Sequence, residues 1–382
     1  MINQTEQMTY RLSNLDIQQQ RVSYQMSTKE VLDEGSDNSV LYARVIHIDD
    51  KVRTFEGIKD QIERSTVQNE AADTSMASIK DILETKVKKA LILANTSTTS
   101  QEGRSAIAVS MAGFRENLLQ LANTQVEGEY VFAGSDASIK PFEKDAVTGK
   151  VTYVGDNKLR KIAVEEGSYR EKGITGFDMM MYPSSAAYKG GTLTFQTTNR
   201  IIDQDGNEWK LNSPTNNTLV KYDLDGNITT ETITPVTNDG ATPPTYSATM
   251  PSTDGTKFEA KTNIFDFLDK TINALNKVDS AGNPITEDAA RQVIGDGVDE
   301  MIKIYDSVDV SHARLGARNS VFEVSLERVS SKLTQYDALS QEIGAADLAK
   351  VAMEAKSLEL TYTALYSTIS KMNQLSLVNF IN

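Results

Sequence analysis

The chain ends in a stretch whose apolar residues follow a heptad pattern. From Val351 onward they recur at alternating steps of four and three residues, which predicts a helix with one apolar face. We call this set the C-terminal seam: Val351, Ala355, Leu358, Tyr362, Leu365, Ile369 and Met372. Beyond Leu360 the one charged residue is Lys371, which is unusual for a helix facing water. The stretch therefore predicts a helix surrounded by other helices. An ordinary core helix is the alternative, and a membrane span is disfavoured because hydroxyl and amide side chains interrupt every apolar run.

The other end of the chain repeats this pattern. An N-terminal seam is formed by Met8, Leu12, Leu15, Val22 and Met26, with Gln19 completing the spacing. Heptad helices at the two ends predict a terminal coiled-coil pair, residues 1–35 with 345–382, that forms the core of an assembly. In an isolated subunit we expect both terminal helices to lack partners and to be mobile, because their seams find partners only on assembly.

Residues 36–127 and 263–344 predict a bundle of long helices. Apolar spacing from Leu41 to about Ala94 predicts one helix on the order of 80 Å long. The longest heptad pattern runs from Ile294 to Ile343 and slips by one residue after Gly344. Because glycine weakens a helix and Asp347 can cap the next one, the slip predicts a boundary between two helices.

The middle of the chain differs from both ends in composition and in its apolar pattern. All eight prolines lie between Pro141 and Pro284, and β-branched residues alternate with polar ones. Residues 128–262 therefore predict a β-rich outer domain, with strands at 129–134, 151–155 and 161–164 and an inserted region at 182–261. The predicted fold class is mainly α with an inserted β region: a long antiparallel coiled-coil-like helical bundle with a terminal helix pair and small β domains in the middle.

Two similar acidic segments stand out in the insertion. Asp203-Gln204-Asp205-Gly206-Asn207 is echoed by residues 223–227, Asp-Leu-Asp-Gly-Asn. Carboxylates two residues apart suit a calcium ion, but glycine falls at the fourth place of each segment and the twelfth places are Pro214 and Thr234. Two hairpin turns between strands are the favoured interpretation.

Composition excludes several kinds of site. A formal net charge of −14 disfavours nucleic acid and anionic membranes as partners, and without cysteine there are no disulfides or thiolate sites. Of two histidines, His312 lies on the heptad seam between Val308 and Leu315, where packing or hydrogen bonding is expected, and His47 is off its seam and expected to be exposed. The first residues lack a basic start followed by an apolar core, so we expect no cleaved secretory signal. We predict no catalytic, cofactor-binding or metal-binding residues.

Four sequence segments resemble the flagellin superfamily. The first is Gln25-Met26-Ser27-Thr28-Lys29 with the turn Gly35-Ser36-Asp37-Asn38; the second is Leu119-Gln120-Leu121-Ala122-Asn123 running into 128–134 and Pro141-Phe142; the third is Arg314-Leu315-Gly316-Ala317-Arg318; the fourth is Ala346-Asp347-Leu348-Ala349 with residues 375–381. The second segment is the most specific, and within the superfamily it is most similar to the hook–filament junction branch. The resemblance covers roughly residues 1–182 and 263–382, so 182–261 departs from it.

The resemblance implies a structural role in the bacterial flagellum and no enzymatic activity. Members of that branch leave the cytoplasm unfolded through the flagellar type III channel, with no cleaved signal peptide. Outside the cell they associate in a ring between the preceding hook-associated protein and flagellin. The implied partners are therefore further copies of the chain, those two proteins and a cytoplasmic export chaperone that binds the C-terminal helix. The two seams would form the assembly interface.

Three other functions remain open from the sequence. The chain could be flagellin, the filament subunit itself. It could instead be a secreted coiled-coil adhesin or translocator that binds a host surface through its insertion. An enzyme within the insertion is disfavoured, because the sequence offers no nucleophile–base pair or metal cluster.

Overall fold

The computed structural model describes residues 2–32, 38–212, 217–238 and 244–381, and the side chains of residues 6–32, 38–212, 217–238 and 244–371. Long helices lie at both ends and strands lie in the middle, so the predicted fold class is confirmed. The chain separates into two compact units, Met1–Asp60 with Leu326–Asn382, and Gln61–Ser325. The predicted division into terminal pair, bundle and outer domain stays a prediction. Gly35, Ser36 and Asp37 of the first resemblance segment lie outside the described residues.

Eight α-helices are assigned in the described residues. The helix predicted from Leu41 to Ala94 is continuous from residue 39 to 95, roughly 85 Å, and contains one π-helical stretch at Ile82–Val87. No proline interrupts it. The helices are α1 (Ile2–Thr28), α2 (Ser39–Asp81), α3 (Lys88–Asn95), α4 (Gln101–Ala122), α5 (Gly176–Met180), α6 (Ile264–Leu275), α7 (Glu287–Gly344) and α8 (Leu348–Ile381).

In the first unit α1 and α8 pack against each other. Immediately after α1, Val31 N donates to Gly344 O at 2.8 Å, and Ala346 N donates to Lys29 O at 2.8 Å. These bonds hold the end of α1 beside the start of α8, so the two helices run antiparallel. The expectation that both terminal helices lack a partner in an isolated subunit is therefore wrong, because each serves as the other's partner. The predicted pairing is confirmed.

The predicted boundary at Gly344 is also confirmed. α7 ends at this residue, and the carboxylate of Asp347 accepts hydrogen bonds from Ala349 N at 3.0 Å and Lys350 N at 3.1 Å. Asp347 thus satisfies two of the amide groups that the first turn of a helix leaves unpaired.

In the second unit the helices share one apolar core. The residues on the seam of α7 alternate between buried and half-buried, as a heptad face against other helices should. Its fully buried members pack with side chains of the other helices: Met76, Ile79, Leu83 and Leu91 before the turn at 96–100; Met111 and Leu118 of α4; Phe265 and Leu268 of α6; Ile294, Met301, Val308 and Leu315 of α7. As predicted, His312 makes an interhelical hydrogen bond, with Nε2 2.9 Å from Asp73 Oδ1, and His47 is exposed.

The first part of the β region consists of three hairpins, and two boundaries differ from the prediction. The strands are β1 (Gln125–Val126) with β2 (Glu129–Tyr130), β3 (Phe142–Lys144) with β4 (Val151–Tyr153), and β5 (Lys161–Glu165) with β6 (Ser168–Glu171). The helix predicted to reach 127 ends at Ala122, and the next residues form the hairpin β1–β2, in whose turn Glu127 and Gly128 have φ of 53° and 84°. The strand predicted over 129–134 ends at Tyr130; Phe132 then turns into the core and Gly134 has a φ of 95°.

Residues 181–263 form two sheets around a second apolar core. One has the order β12-β11-β10-β9-β15-β7 and the other β13-β14-β8. Trp209, Phe258, Phe195, Tyr246 and Leu219 lie among the buried residues of this core. The strands are β7 (Met181–Tyr188), β8 (Thr192–Gln196), β9 (Arg200–Asp203), β10 (Glu208–Leu211), β11 (Leu219–Tyr222), β12 (Ile228–Ile233), β13 (Val236–Asn238), β14 (Thr245–Thr249) and β15 (Lys257–Asn263).

Both acidic segments are hairpin turns, as favoured from the sequence. The first joins β9 to β10 and the second joins β11 to β12. Asp203 Oδ1 accepts from the amides of Asp205 and Asn207 at 3.0 and 2.9 Å, and its Oδ2 accepts from Trp209 Nε1 at 3.0 Å. The carboxylate of Asp203 is thus used within its own turn.

Candidate assembly surface

Most residues of the N-terminal seam are buried or half-buried in the pair formed by α1 and α8. Val22 is buried, and Met8, Leu12 and Leu15 are half-buried. Met26 is exposed, although it continues the heptad spacing. The seam is therefore only partly covered within one subunit.

The C-terminal seam shows the same partial burial. Val351 is buried, and Leu358, Tyr362, Leu365 and Ile369 are half-buried. The side chain of Met372 lies outside the described residues. Within this seam, desolvation and the nearby Asp16 carboxylate of α1 raise the pKa of the Tyr362 phenol.

A second apolar stripe on each terminal helix remains exposed. Tyr10 and Ile17 of α1 are 70% and 62% exposed, and Met353 and Leu360 of α8 are 68% and 63% exposed. Each pair is separated by seven residues, so its two members lie on one face of their helix. We call these four residues the outer stripes. Sequence reasoning missed them, although their spacing of seven was visible. They matter because exposed apolar residues repeated along a helix are typical of a surface that other helices cover.

Polar contacts attach the β region to the helices of the second unit. Arg318 Nη1 donates to Gly173 O at 2.8 Å, and Ser311 Oγ donates to Asp178 O at 2.7 Å. Tyr182 Oη donates to Glu300 Oε1 at 2.6 Å, and burial together with that carboxylate raises the pKa of Tyr182. Arg318 belongs to the third resemblance segment, so that segment has a structural role in fixing the base of the β region.

The described residues show no sign of a metal centre or a membrane span. Across 2–32, 38–212, 217–238 and 244–381, no three His, Cys, Asp or Glu residues are grouped as metal ligands would be. Within the same ranges, no helix is both long and apolar enough to cross a bilayer.

Comparison with known proteins bears on these helices directly. Residues 2–137 match the family model of the bacterial flagellin N-terminal helical region. The resemblance to the flagellin superfamily is confirmed. The matched residues include α1, α2, α3 and α4 and extend through the hairpin β1–β2, so the flagellin-like region contains the N-terminal seam and both residues of its outer stripe.

Two curated relatives are named flagellar hook-associated protein 3. The protein from Salmonella typhimurium is 25% identical over 181 residues, 45% of this chain and 53% of the relative. The one from Escherichia coli K12 is 25% identical over 175 residues, 43% of this chain and 51% of the relative. The chain spans about half the length of the curated relatives it matches.

The fold is shared with a solved structure. The crystal structure of flagellar hook-associated protein 3 from Legionella pneumophila superposes with a TM-score of 0.52 at 19% identity. The alignment covers 78% of this chain and 98% of that one. The architecture of terminal helices and a β-containing middle is therefore that of a known flagellar protein fold.

Proposed function

We propose that this chain is a structural subunit of the bacterial flagellum that forms the junction between hook and filament. The curated relatives carry the name flagellar hook-associated protein 3, and the flagellin-like N-terminal region supports a filament-type assembly. The observation that carries the proposal is the pair of outer stripes, which α1 and α8 leave exposed on the face of each helix opposite its seam.

The outer stripes give the assembly its driving force. In a single subunit, Ile17 and Leu360 expose apolar surface to water, which disfavours the isolated state. Packing between copies would remove this surface, and a contact repeated head to tail gives a ring where the rotation between neighbouring copies closes. The two seams hold α1 and α8 together, so one pair of helices presents both stripes.

The partners follow from this position in the flagellum. Other copies would surround the terminal pair in a ring, the preceding hook-associated protein would contact one end of the ring, and flagellin would contact the other. The chain would reach the outside of the cell by flagellar type III export, held beforehand by a cytoplasmic chaperone on the C-terminal helix. The low charge of that helix beyond Leu360 suits a helix that packs first against a chaperone and then against the helices of the assembly.

The chain would act without catalysis. Its curated relatives are named flagellar hook-associated proteins, and that name indicates a structural part. The β region, which departs from the resemblance between 182 and 261, would face the solvent around the junction.

A deletion strain of the host bacterium tests the proposal. Electron micrographs should show hooks without filaments, with flagellin released to the medium, and the wild-type gene should restore filaments. Normal filaments on the deletion strain would contradict it. Counting copies per flagellum separates this function from that of flagellin, because a filament subunit is far more abundant than a junction ring.

A further inference from the structure

The solvent-facing side of α7 carries a row of exposed apolar residues. Ile302, Val310, Val321 and Val324 are between 43% and 54% exposed. At 3.6 residues per turn they fall within about a third of the helix circumference, on the side opposite the buried Val308. The stretch from Ile302 to Val324 is about 33 Å long. We call this side of α7, over residues 299–324, the α7 face.

The N-terminal half of the α7 face is acidic. Asp299 and Asp306 are seven residues apart, so they lie on the same side of the helix, and both are exposed. Neither makes an ion pair with any residue that the structure describes. They flank Ile302, which gives this half an apolar centre between two carboxylates that are available to cations of another molecule.

The C-terminal half of the same face is basic. Arg314 is exposed, and within the described part of the chain it has no carboxylate partner. Burial lowers the pKa of Lys261, and the charge of Arg314 lowers it further, so Arg314 lies near a second cation. Positive charge is therefore in excess beside this half of the helix.

An open groove of about 610 Å³ lies between this basic half and the hairpin β5–β6. Its lining residues are Lys161, Tyr169, Arg170, Glu171, Arg318 and Val321. Three of them are cations and one is a carboxylate, Glu171 Oε2, which lies 3.5 Å from Arg318 Nη2. The groove thus combines apolar surface from Tyr169 and Val321 with an excess of two positive charges, in a chain whose formal net charge is −14.

We propose that the α7 face binds the α7 face of a second copy of this chain, antiparallel about a two-fold axis near Val310. Residues equally far before and after Val310 then lie at the same height on the two helices. Asp306 and Arg314 are each four residues from it, and Ile302 and Arg318 are each eight. The acidic half of each copy therefore lies against the basic half of the other, and the symmetry forms every contact twice.

Charge and apolar surface both favour a second copy as the occupant. Ile302 of the second copy, between its two carboxylates, matches a groove that offers Val321 between cations. A parallel pair would set Asp306 against Asp306, whereas the antiparallel pair sets it against Arg314. This dimer is formed by the free subunit, and it does not rest on the proposed function in the flagellum.

Sedimentation equilibrium of the full chain between about 1 and 100 μM tests the dimer. The wild type should form a reversible dimer at low ionic strength, and about 0.5 M sodium chloride should weaken it at least tenfold by screening the charges. Asp306→Arg and Arg314→Asp should each weaken it about a hundredfold, because like charges then face each other. An equimolar mixture of these two variants should restore the dimer, since each supplies the charge that the other lacks.

The controls separate this contact from poor folding and from the outer stripes. All substituted side chains are exposed, so melting temperatures should match the wild type, and Ile302→Asp tests the apolar contact without the charge pair. Leu360→Asp, in an outer stripe, should keep the dimer. A monomeric wild type, an unrestored mixture, species larger than a dimer, or a dimer that Leu360→Asp abolishes and the α7 variants leave intact would each overturn the proposal.

Discussion

Asn123 and Phe142 exchange two hydrogen bonds. Asn123 Oδ1 accepts from Phe142 N at 3.0 Å, and Asn123 Nδ2 donates to Phe142 O at 3.0 Å, with a further bond from Nδ2 to Leu119 O at 3.0 Å. One side chain thus joins the last turn of α4 to the start of β3. The second resemblance segment, which pairs 119–123 with Pro141-Phe142, has a structural reason in this contact.

The first prediction concerns this contact. Asn123→Ala should lower the free energy of unfolding by about 2 kcal/mol, because three hydrogen bonds are lost and two backbone groups of β3 lose their partner. Urea unfolding followed by circular dichroism measures the change. As a control, Asn157→Ala removes a single long contact, 3.5 Å to Gly206 O, and should change stability little. An equal loss of stability in the two variants would show that Asn123 does not join α4 to β3 as described.

The second prediction concerns acid stability at the start of α7. Lys277, Arg104 and Arg291 all donate to the carboxylate of Glu287 and lower its pKa to about 2. A depressed carboxylate pKa stabilises the folded state above the ordinary pKa near 4.5, and this contribution is lost as the pH falls towards 2. Arg104, which is 1% exposed, would lose its carboxylate partner in Glu287→Gln.

Glu287→Gln should therefore be less stable than the wild type at pH 7, and the two should converge near pH 2. Melting temperatures across this range provide the measurement. Asp288→Asn is the matched control, since Asp288 is exposed and makes none of these contacts among the described residues. A difference between wild type and Glu287→Gln that stays constant down to pH 2 would contradict the assignment.

The third prediction concerns calcium and the acidic turns. Because the carboxylate of Asp203 is used by Asn207 N and Trp209 Nε1, adding EDTA should leave the melting temperature unchanged. Asp203→Ala should destabilise the insertion, whereas Asp205→Ala should have little effect because its side chain has no contact within the described part of the turn. A large stabilisation by calcium would overturn this interpretation.

Much of the helical fold could be predicted from periodicity alone. Heptad spacing predicts the two seams, and Gly344 followed by Asp347 predicts the boundary between α7 and α8. Both signals can be recognised because they depend only on residues close together in the chain. The strand error at Phe132 has a physical cause: a short apolar run before a glycine looks like a strand, but here Phe132 fills the core while the backbone turns. The order of the strands in the sheets could not be predicted from the sequence, since the pairing of β15 with β7 joins residues far apart in the chain.

The candidate site was only half predictable. Its seams follow from spacing, but the partner of each seam depends on tertiary packing, and we expected none in an isolated subunit. Because α1 and α8 cover each other's seams only in part, both seams keep some accessible surface, but the most exposed apolar residues of the two helices are those of the outer stripes. Tyr10 and Ile17 were not assigned to a surface, since polar residues separate them and only their final exposure distinguishes them from core positions.

The fourth prediction concerns the stability of the terminal pair. Val22 and Val351 are the seam residues that α1 and α8 bury, so this pair should open more easily than the second unit with its larger core. Limited proteolysis of the monomer should remove α1 and α8 first and leave a fragment that begins near residue 38. If amide exchange protects α1 and α8 as strongly as α4 in a verified monomer, this prediction is wrong.

The central claim is that the outer stripes are covered on assembly, and Leu360→Asp tests it most directly. This side chain faces solvent in the subunit, so the variant should keep its melting temperature and still be exported. Burying the new carboxylate between copies would cost several kcal/mol in every subunit of a ring. Val147→Asp, at a residue 94% exposed in the β3–β4 turn, is the matched control and should assemble normally.

The decisive measurement is the length of filaments on a deletion strain that carries each variant, seen by electron microscopy and checked for export of the variant. With Leu360→Asp we predict folded, exported protein, hooks without stable filaments and flagellin released to the medium. With Val147→Asp we predict filaments of wild-type length. Full-length filaments and normal swimming with Leu360→Asp would contradict the account, because the outer stripe of α8 would then not be an assembly surface.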